Sequence, residues 1–234
     1  MLYSNATVYR IDMLKNAGDY AQVQLVKQRV GGAQKSLTNL LAGSIYDEPG
    51  GDSERLTGLR ACCHETTTTA YGNLQEADLV SADGSFPWQG HRTATAEGIS
   101  LDVLRDLRTL CKVRDGARGR AGMLVTTETL YNVVVSILQL QQRFVKDERT
   151  AKASFTGVEF EGASFFPDDY CPSGYLFAIN ENHVGFAVHQ QGYYMRTKWE
   201  KIPNSANDKT MKIFFDGNMV VNNRKSHAAH SNLT

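Results

Sequence analysis

The densest reactive grouping in the sequence is Cys62-Cys63-His64, two thiols and an imidazole in succession, with Cys111 and Cys171 farther along. Thiolate and imidazole are zinc ligands, but a tetrahedral site draws them from spaced positions, and adjacent cysteines splay their side chains apart. The four thiols therefore read as reduced, structural residues of a cytosolic chain. Nucleophilic catalysis needs a base within hydrogen-bonding reach of a serine or cysteine, and no GxSxG elbow or HExxH helix is present. His64, His91, His183, His189, His227 and His230 stand in unrelated contexts. Asp168-Asp169 pairs two carboxylates, yet inside the run Pro167 to Pro172 aspartates serve turn geometry. Gly116 to Gly122 is glycine-rich but lacks the Lys-Ser/Thr of a phosphate loop and precedes a strand, so Arg114, Arg118 and Arg120 read as a solvated loop. Arg224, Lys225, His227 and His230 could touch phosphate; as a short basic tail, residues 222–234 read as solvated too. No catalytic residue, cofactor site or metal ligand is assigned.

These residues must be positioned by elements visible in the apolar pattern. Leu14, Gly18, Ala21, Leu25, Val26, Val30, Ala33, Leu37, Leu40 and Leu41 recur at three- and four-residue spacing. That spacing predicts one helix from Leu14 to Ala42, about 43 Å long at about 1.5 Å per residue. Asp12 is its expected N-cap and Gly43 its expected stop. The Gly31-Gly32 pair predicts a bend or a close contact, or, in the alternative reading, a break into two shorter helices. Met1 to Ile11 has strand-like composition and needs a partner elsewhere.

Glu48 to Glu54 is a turn-rich connector. The threonine run Thr66 to Thr69, Tyr71-Gly72-Asn73 and the stretch Asp83 to Arg92 read as an extended loop. Ser100 caps a helix carrying Leu101, Leu104, Leu107, Arg108 and Cys111 on one side, and Met123 to Val125 reads as a buried strand. Thr126 or Thr127 then caps a helix with Leu130, Val133, Val134, Ile137, Leu138 and Gln141. Beyond it the period becomes two: Phe155, Val158 to Glu161, Tyr175 to Ile179, Val184 to Val188 and Met211 to Phe215. Asn180-Glu181-Asn182 and Asp216-Gly217-Asn218 link successive strands, the latter leading into Met219 to Val221. Helices first and strands later give an α+β class.

Lysine plus arginine equals aspartate plus glutamate, 25 of each, so no global positive field draws the chain onto nucleic acid or an anionic membrane. There is no signal peptide and no apolar run of about 18 residues to cross a bilayer. With a long rod, a sheet, long loops and no catalytic frame, the pattern favours a structural or interaction role.

In its order of features the chain resembles tailed-bacteriophage major capsid proteins of the Hong Kong 97 type. The likeness rests on the strand before a long helix, Leu56 to Arg60 leading into a polar loop with Tyr71-Gly72 and Phe86 to Gly90, and the helix at Ser100. It continues through Leu124 to Tyr131, Phe160 to Gly162, Pro172 to Asn180 and Gly217 to Arg224. The resemblance implies a Hong Kong 97-type fold: a peripheral domain with the spine helix over 1–59, residues 190–212 packing on it, and a β-rich axial domain over 60–189 and 213–234. It implies a subunit that assembles with copies of itself into hexamers and pentamers of an icosahedral shell around double-stranded DNA. As candidate further partners it implies portal, scaffolding and decoration proteins, with weak, non-specific contact to DNA and no membrane. Such a shell is assembled in the host cytoplasm and resides in the virion. An encapsulin-like nanocompartment is the alternative, an enzyme of unrecognised type the more remote one. About a dozen residues precede the spine helix where such proteins carry an N-terminal arm and an extended two-stranded loop, so no cross-linking residues transfer.

Overall fold

The computed structural model describes residues 1–234 apart from 17, 49–54, 65–69, 73, 76–77, 83, 85, 87, 114–118 and 143–157. In chain order the elements are β1 (Leu2–Val8), α1 (Arg10–Lys15), α2 (Asp19–Ser44), α3 (Leu59–Cys62), β2 (His91–Thr93), α4 (Leu101–Leu110), β3 (Met123–Thr126) and α5 (Glu128–Gln142). There follow β4 (Val158–Phe160), β5 (Ala163–Pro167), β6 (Leu176–Ile179), β7 (Val184–Val188), β8 (Met195–Arg196), β9 (Glu200–Lys201), β10 (Lys209–Phe215), β11 (Gly217–Val221) and β12 (Ala228–His230). The expected connector, the threonine run, the Arg114–Arg118 loop and Phe155 fall on or largely on residues outside those described.

Two compact units emerge. The first holds Met1–Ile45, Gly51–Leu56 and Phe186–Met219, the second Tyr46–Gly50, Thr57–Gly185 and Val220–Thr234. Residues 213–219 thus lie in the first unit, where the sequence reading grouped them with the later sheet. β7 and β11 pair as a two-stranded ribbon, and the division falls inside both strands.

In the first unit β10 is the partner β1 required: the two pair antiparallel over seven residues, Leu2 opposite Phe215 and Val8 opposite Lys209. Short strands β8 and β9 pair with the other side of β10. α2 lays Ala33 and Leu37 against Leu2, Ala6, Met211, Ile213 and Phe215, forming one small apolar core.

The single helix expected from Leu14 is instead two. α1 ends where Asn16 leaves helical geometry and its amide donates to the Asp12 carbonyl at 2.8 Å. Gly18 then takes φ 122°, a conformation open to glycine and strained for other residues, before α2 begins. Asp12 is accordingly no cap for the long helix; its carboxylate accepts from Arg29 at 2.9 Å. Gly43 lies inside the last turn, and the helix stops at Ser44. α2 runs unbroken through Gly31 and Gly32, where an added Cβ meets nothing within 4 Å, so among the described residues the expected close contact is absent.

The second unit is a mixed six-stranded sheet in the order β2-β12-β6-β3-β5-β4. β3 pairs parallel with β5 and antiparallel with β6, while β12 pairs antiparallel with β6 and parallel with β2. Ser100 caps α4 as its sequence foretells, the hydroxyl accepting from the Val103 N–H at 3.3 Å. Leu104 and Leu107 of α4 and Leu130 and Val134 of α5 pack with Leu124, Phe165, Leu176 and Ala178 in a continuous core.

His91 to Thr93 is a strand and not loop. Asp216-Gly217-Asn218 links β10 to β11 as expected; Gly217 opens β11, which pairs with β7, and a Cβ there would stand 2.8 Å from the Ala187 carbonyl. Residues 222–234 are no solvated tail. Arg224, Ser226, His227 and Ala228 have no exposed surface, and β12 is a central strand.

Arg224 explains how so polar a segment is buried. Its Nε donates to the Cys62 carbonyl at 2.9 Å, Nη1 to Trp88 at 3.1 Å, and Nη2 to His64 at 3.2 Å and Ala61 at 3.5 Å. The carbonyls of Ala61 and Cys62 are at the C-terminal end of α3, where a cation complements the exposed acceptors. The guanidinium also lies 5.6 Å from the centre of the Tyr71 ring. Gly90 fits because it has no side chain: a Cβ would stand 2.6 Å from the Cys62 carbonyl and 2.9 Å from Arg224 Nη2.

Arg224→Met, which strands those carbonyls, lowers the unfolding free energy by about 3 kcal/mol in urea titration. Arg224→Lys recovers only part of it, because an ammonium lacks the planar fork. Gly31→Ala and Gly32→Ala each raise stability by up to about 1 kcal/mol in the same assay, since α2 has room for both methyl groups.

Candidate functional site

The residues with reactive potential are dispersed and used structurally. Cys62 ends α3, Cys63 follows it and Cys111 closes α4; these three and Cys171 are buried free thiols. Hydrogen bonding to Cys62, with burial second, holds the Cys63 thiol well above its ordinary range. Burial pushes the thiols of Cys111 and Cys171 up to about 12. Thiols held protonated at neutral pH are poor nucleophiles and poor ligands. Among the described residues, no three of histidine, cysteine, aspartate and glutamate gather where a metal could be held.

The Asp168-Asp169 pair serves its turn. Asp168 accepts from the Tyr46 hydroxyl and, at 2.9 Å, from the Tyr170 main-chain N–H. Burial first, and the Asp168 hydrogen bond second, push the Tyr46 phenol up. His189 accepts at Nδ1 from the Gln191 N–H within a turn, and His230 Nε2 lies 2.7 Å from Glu97. Arg120 is exposed, whereas Arg114 and Arg118 lie outside the described residues.

One polar cluster escaped the sequence reading. Arg60 and Arg92 meet the Glu48 carboxylate at 2.6 and 3.3 Å, with His64 at 3.6 Å, and Arg92 donates to the Tyr175 hydroxyl at 2.6 Å. Both guanidiniums lie over the Tyr175 ring, at 5.2 and 5.5 Å from its centre. Tyr175 stacks on Phe177, which Tyr46 also contacts. This cluster ties Tyr46–Glu48, α3 and β2 to the start of β6; its members come from four separate stretches, so spacing gave no signal of it.

What the first unit offers outward is surface. β1 is an edge strand, and beside it an open groove of about 530 Å³ is lined by Ser4 to Thr7 and, on α2, by Gln28, Arg29 and Ser36 among others. Ile11, Leu14, Tyr20, Val23 and Tyr193 are more than half exposed. Neither the groove nor the smaller pocket formed by Val8, Met13, Val26, Trp199 and Lys209 gathers an acid, a base and a nucleophile.

No protein-family model matches the sequence, and no curated protein matches it. Solved structures do match in fold over the whole chain. The capsid protein of cyanophage A-1(L) is similar with a TM-score of 0.71 and 14% identity, covering 100% of this chain and 77% of that one. The SrpI encapsulin of Synechococcus elongatus aligns with a TM-score of 0.57 and 11% identity over 99% of this chain and 73% of its own. The capsid protein of a native GTA particle aligns with a TM-score of 0.56 and 13% identity over 100% and 72%. With a helix packed on a small sheet in one unit and a mixed sheet covered by α4 and α5 in the other, the chain has the α+β fold of Hong Kong 97-type tailed-phage capsid proteins.

Proposed function

We propose that this protein is a major capsid subunit, a structural protein that assembles with copies of itself into hexamers and pentamers of an icosahedral shell around double-stranded DNA. The observation that carries this reading is the match of the entire chain, at a TM-score of 0.71, to the cyanophage capsid protein. In this reading the first unit is the peripheral domain and the second the axial domain that meets its copies about the symmetry axes. Such interfaces are heterologous: one patch on a subunit meets a different patch on the next, and closure into a ring makes individually weak contacts collectively strong. A formal charge of zero suits a wall that packs against itself. Portal, scaffolding and decoration proteins are the further partners of such a shell, with assembly in the host cytoplasm.

A second reading is a nanocompartment that encloses protein cargo, favoured by the encapsulin match at a TM-score of 0.57. Velocity sedimentation and negative-stain imaging of the purified chain, across a series of salt and crowding conditions, test the common element of both. Rings or closed shells are expected under some condition, and a monomer under all of them overturns the proposal. Nucleic acid inside particles isolated from the native source supports the capsid; a protein cargo without DNA supports the compartment.

A further inference from the structure

Two buried histidines, three residues apart at the C-terminal end, sit in opposite surroundings. His230 pairs through Nε2 with the Glu97 carboxylate at 2.7 Å, and its Nδ1 lies 2.9 Å from the Ser231 carbonyl. His227 has no exposed surface, and its Nδ1 accepts a hydrogen bond from the Asn180 main-chain N–H at 3.3 Å. The ring proton therefore belongs on Nε2. A second proton at Nδ1 would set two N–H donors face to face.

Burial and the charge of His183 disfavour that proton, and the main-chain hydrogen bond His183 offers the ring is the smaller, opposing effect. From the turn between β6 and β7, His183 is the residue whose charge acts on it, and on its own segment stand Arg224 and Lys225. β2 contributes His91, opposite Ala228, its own titration pushed down by burial and by Lys225. Glu181 in the turn is exposed, and Glu97 is engaged by His230.

We propose that His227 and the 180–183 turn form an acid-sensitive latch: protonating His227 breaks its bond to Asn180 and frees residues 222–228 from that turn and from the end of β6, while His230 stays pinned to Glu97. Arg224 lies on the freed stretch, so its hold on the carbonyls of Cys62, His64 and Trp88 goes with it. Burial, with His183 second, pushes the His227 imidazole down to about 4, whereas a freed segment takes its proton near the ordinary value of about 6.5. Between those values the open form binds more protons, so the closed form is fully favoured above about pH 6.5 and loses ground as pH falls toward 4. With one linked proton, the opening constant rises by up to about tenfold per pH unit across that window.

Amide hydrogen exchange of the full chain from pH 7 to pH 4, corrected for the intrinsic pH dependence of exchange, tests the latch. The amides of Asn180 and of residues 226–229 are expected to lose protection before those of β3 and β5. His227→Gln, which keeps a neutral acceptor, is expected to hold protection through pH 4, and His183→Asn to move the onset to lower pH. Protection of 226–229 unchanged down to pH 4 in the unaltered chain overturns the proposal, as does simultaneous loss across the whole sheet. If His227→Gln does not fold, the onset in His183→Asn decides alone, and an onset equal to that of the unaltered chain counts against the latch.

Discussion

A buried polar group gains most by finding a partner inside the protein, and in the second unit that requirement shapes the β2-β12-β6 side of the sheet. β12 sits between β2 and β6 although its surroundings in sequence are arginine, lysine, serine and histidine. Arg224 is buried because four main-chain carbonyls converge on it, and those carbonyls converge because α3 ends there and Gly90 lets the chain approach closely. His230 finds Glu97, and His227 finds the Asn180 N–H. β2, three residues long, exists as a strand through its parallel pairing with β12. The stretch from α3 to β2 and the C-terminal segment are thus held by one set of hydrogen bonds.

The sequence displayed the parts that depend on local pattern. α4 was visible from Ser100 and the spacing Leu104, Leu107, Cys111, and β3 from three consecutive apolar residues; β1 and β10 carry β-branched and aromatic side chains on a half-buried surface. α2 was legible over most of its length. Its true start was not, because Gly18 fitted the stripe of small and apolar residues while adopting a conformation that ends one helix and precedes another.

Other features depend on residues far apart in the chain. Nothing near Arg224 announces its acceptors, which lie 136 to 163 positions earlier. A segment satisfied on both faces by remote carbonyls has no apolar alternation, so residues 222–234 resembled solvated chain, and β2 shows too short a run for any period. β5 ends at Pro167, the first residue of the run read as a turn, and its remaining four residues are too few to show a period. The Glu48, Arg60, Arg92 and Tyr175 cluster likewise arises only once the sheet has formed. The resemblance to capsid proteins succeeded where composition could not, because it rested on the order of elements, which survives when identity has fallen to 14%.

The proposed reading of this chain as a tile rests on the fold match over its whole length and on the exposed apolar side chains and strand edge of the first unit. Its most direct test is the mass of the native particle, measured by native mass spectrometry at the concentrations where interfaces form. Complexes of five and six copies of the 25.9 kDa chain, or closed shells built from them, are the predicted result. A single subunit mass that persists at every concentration would contradict the account.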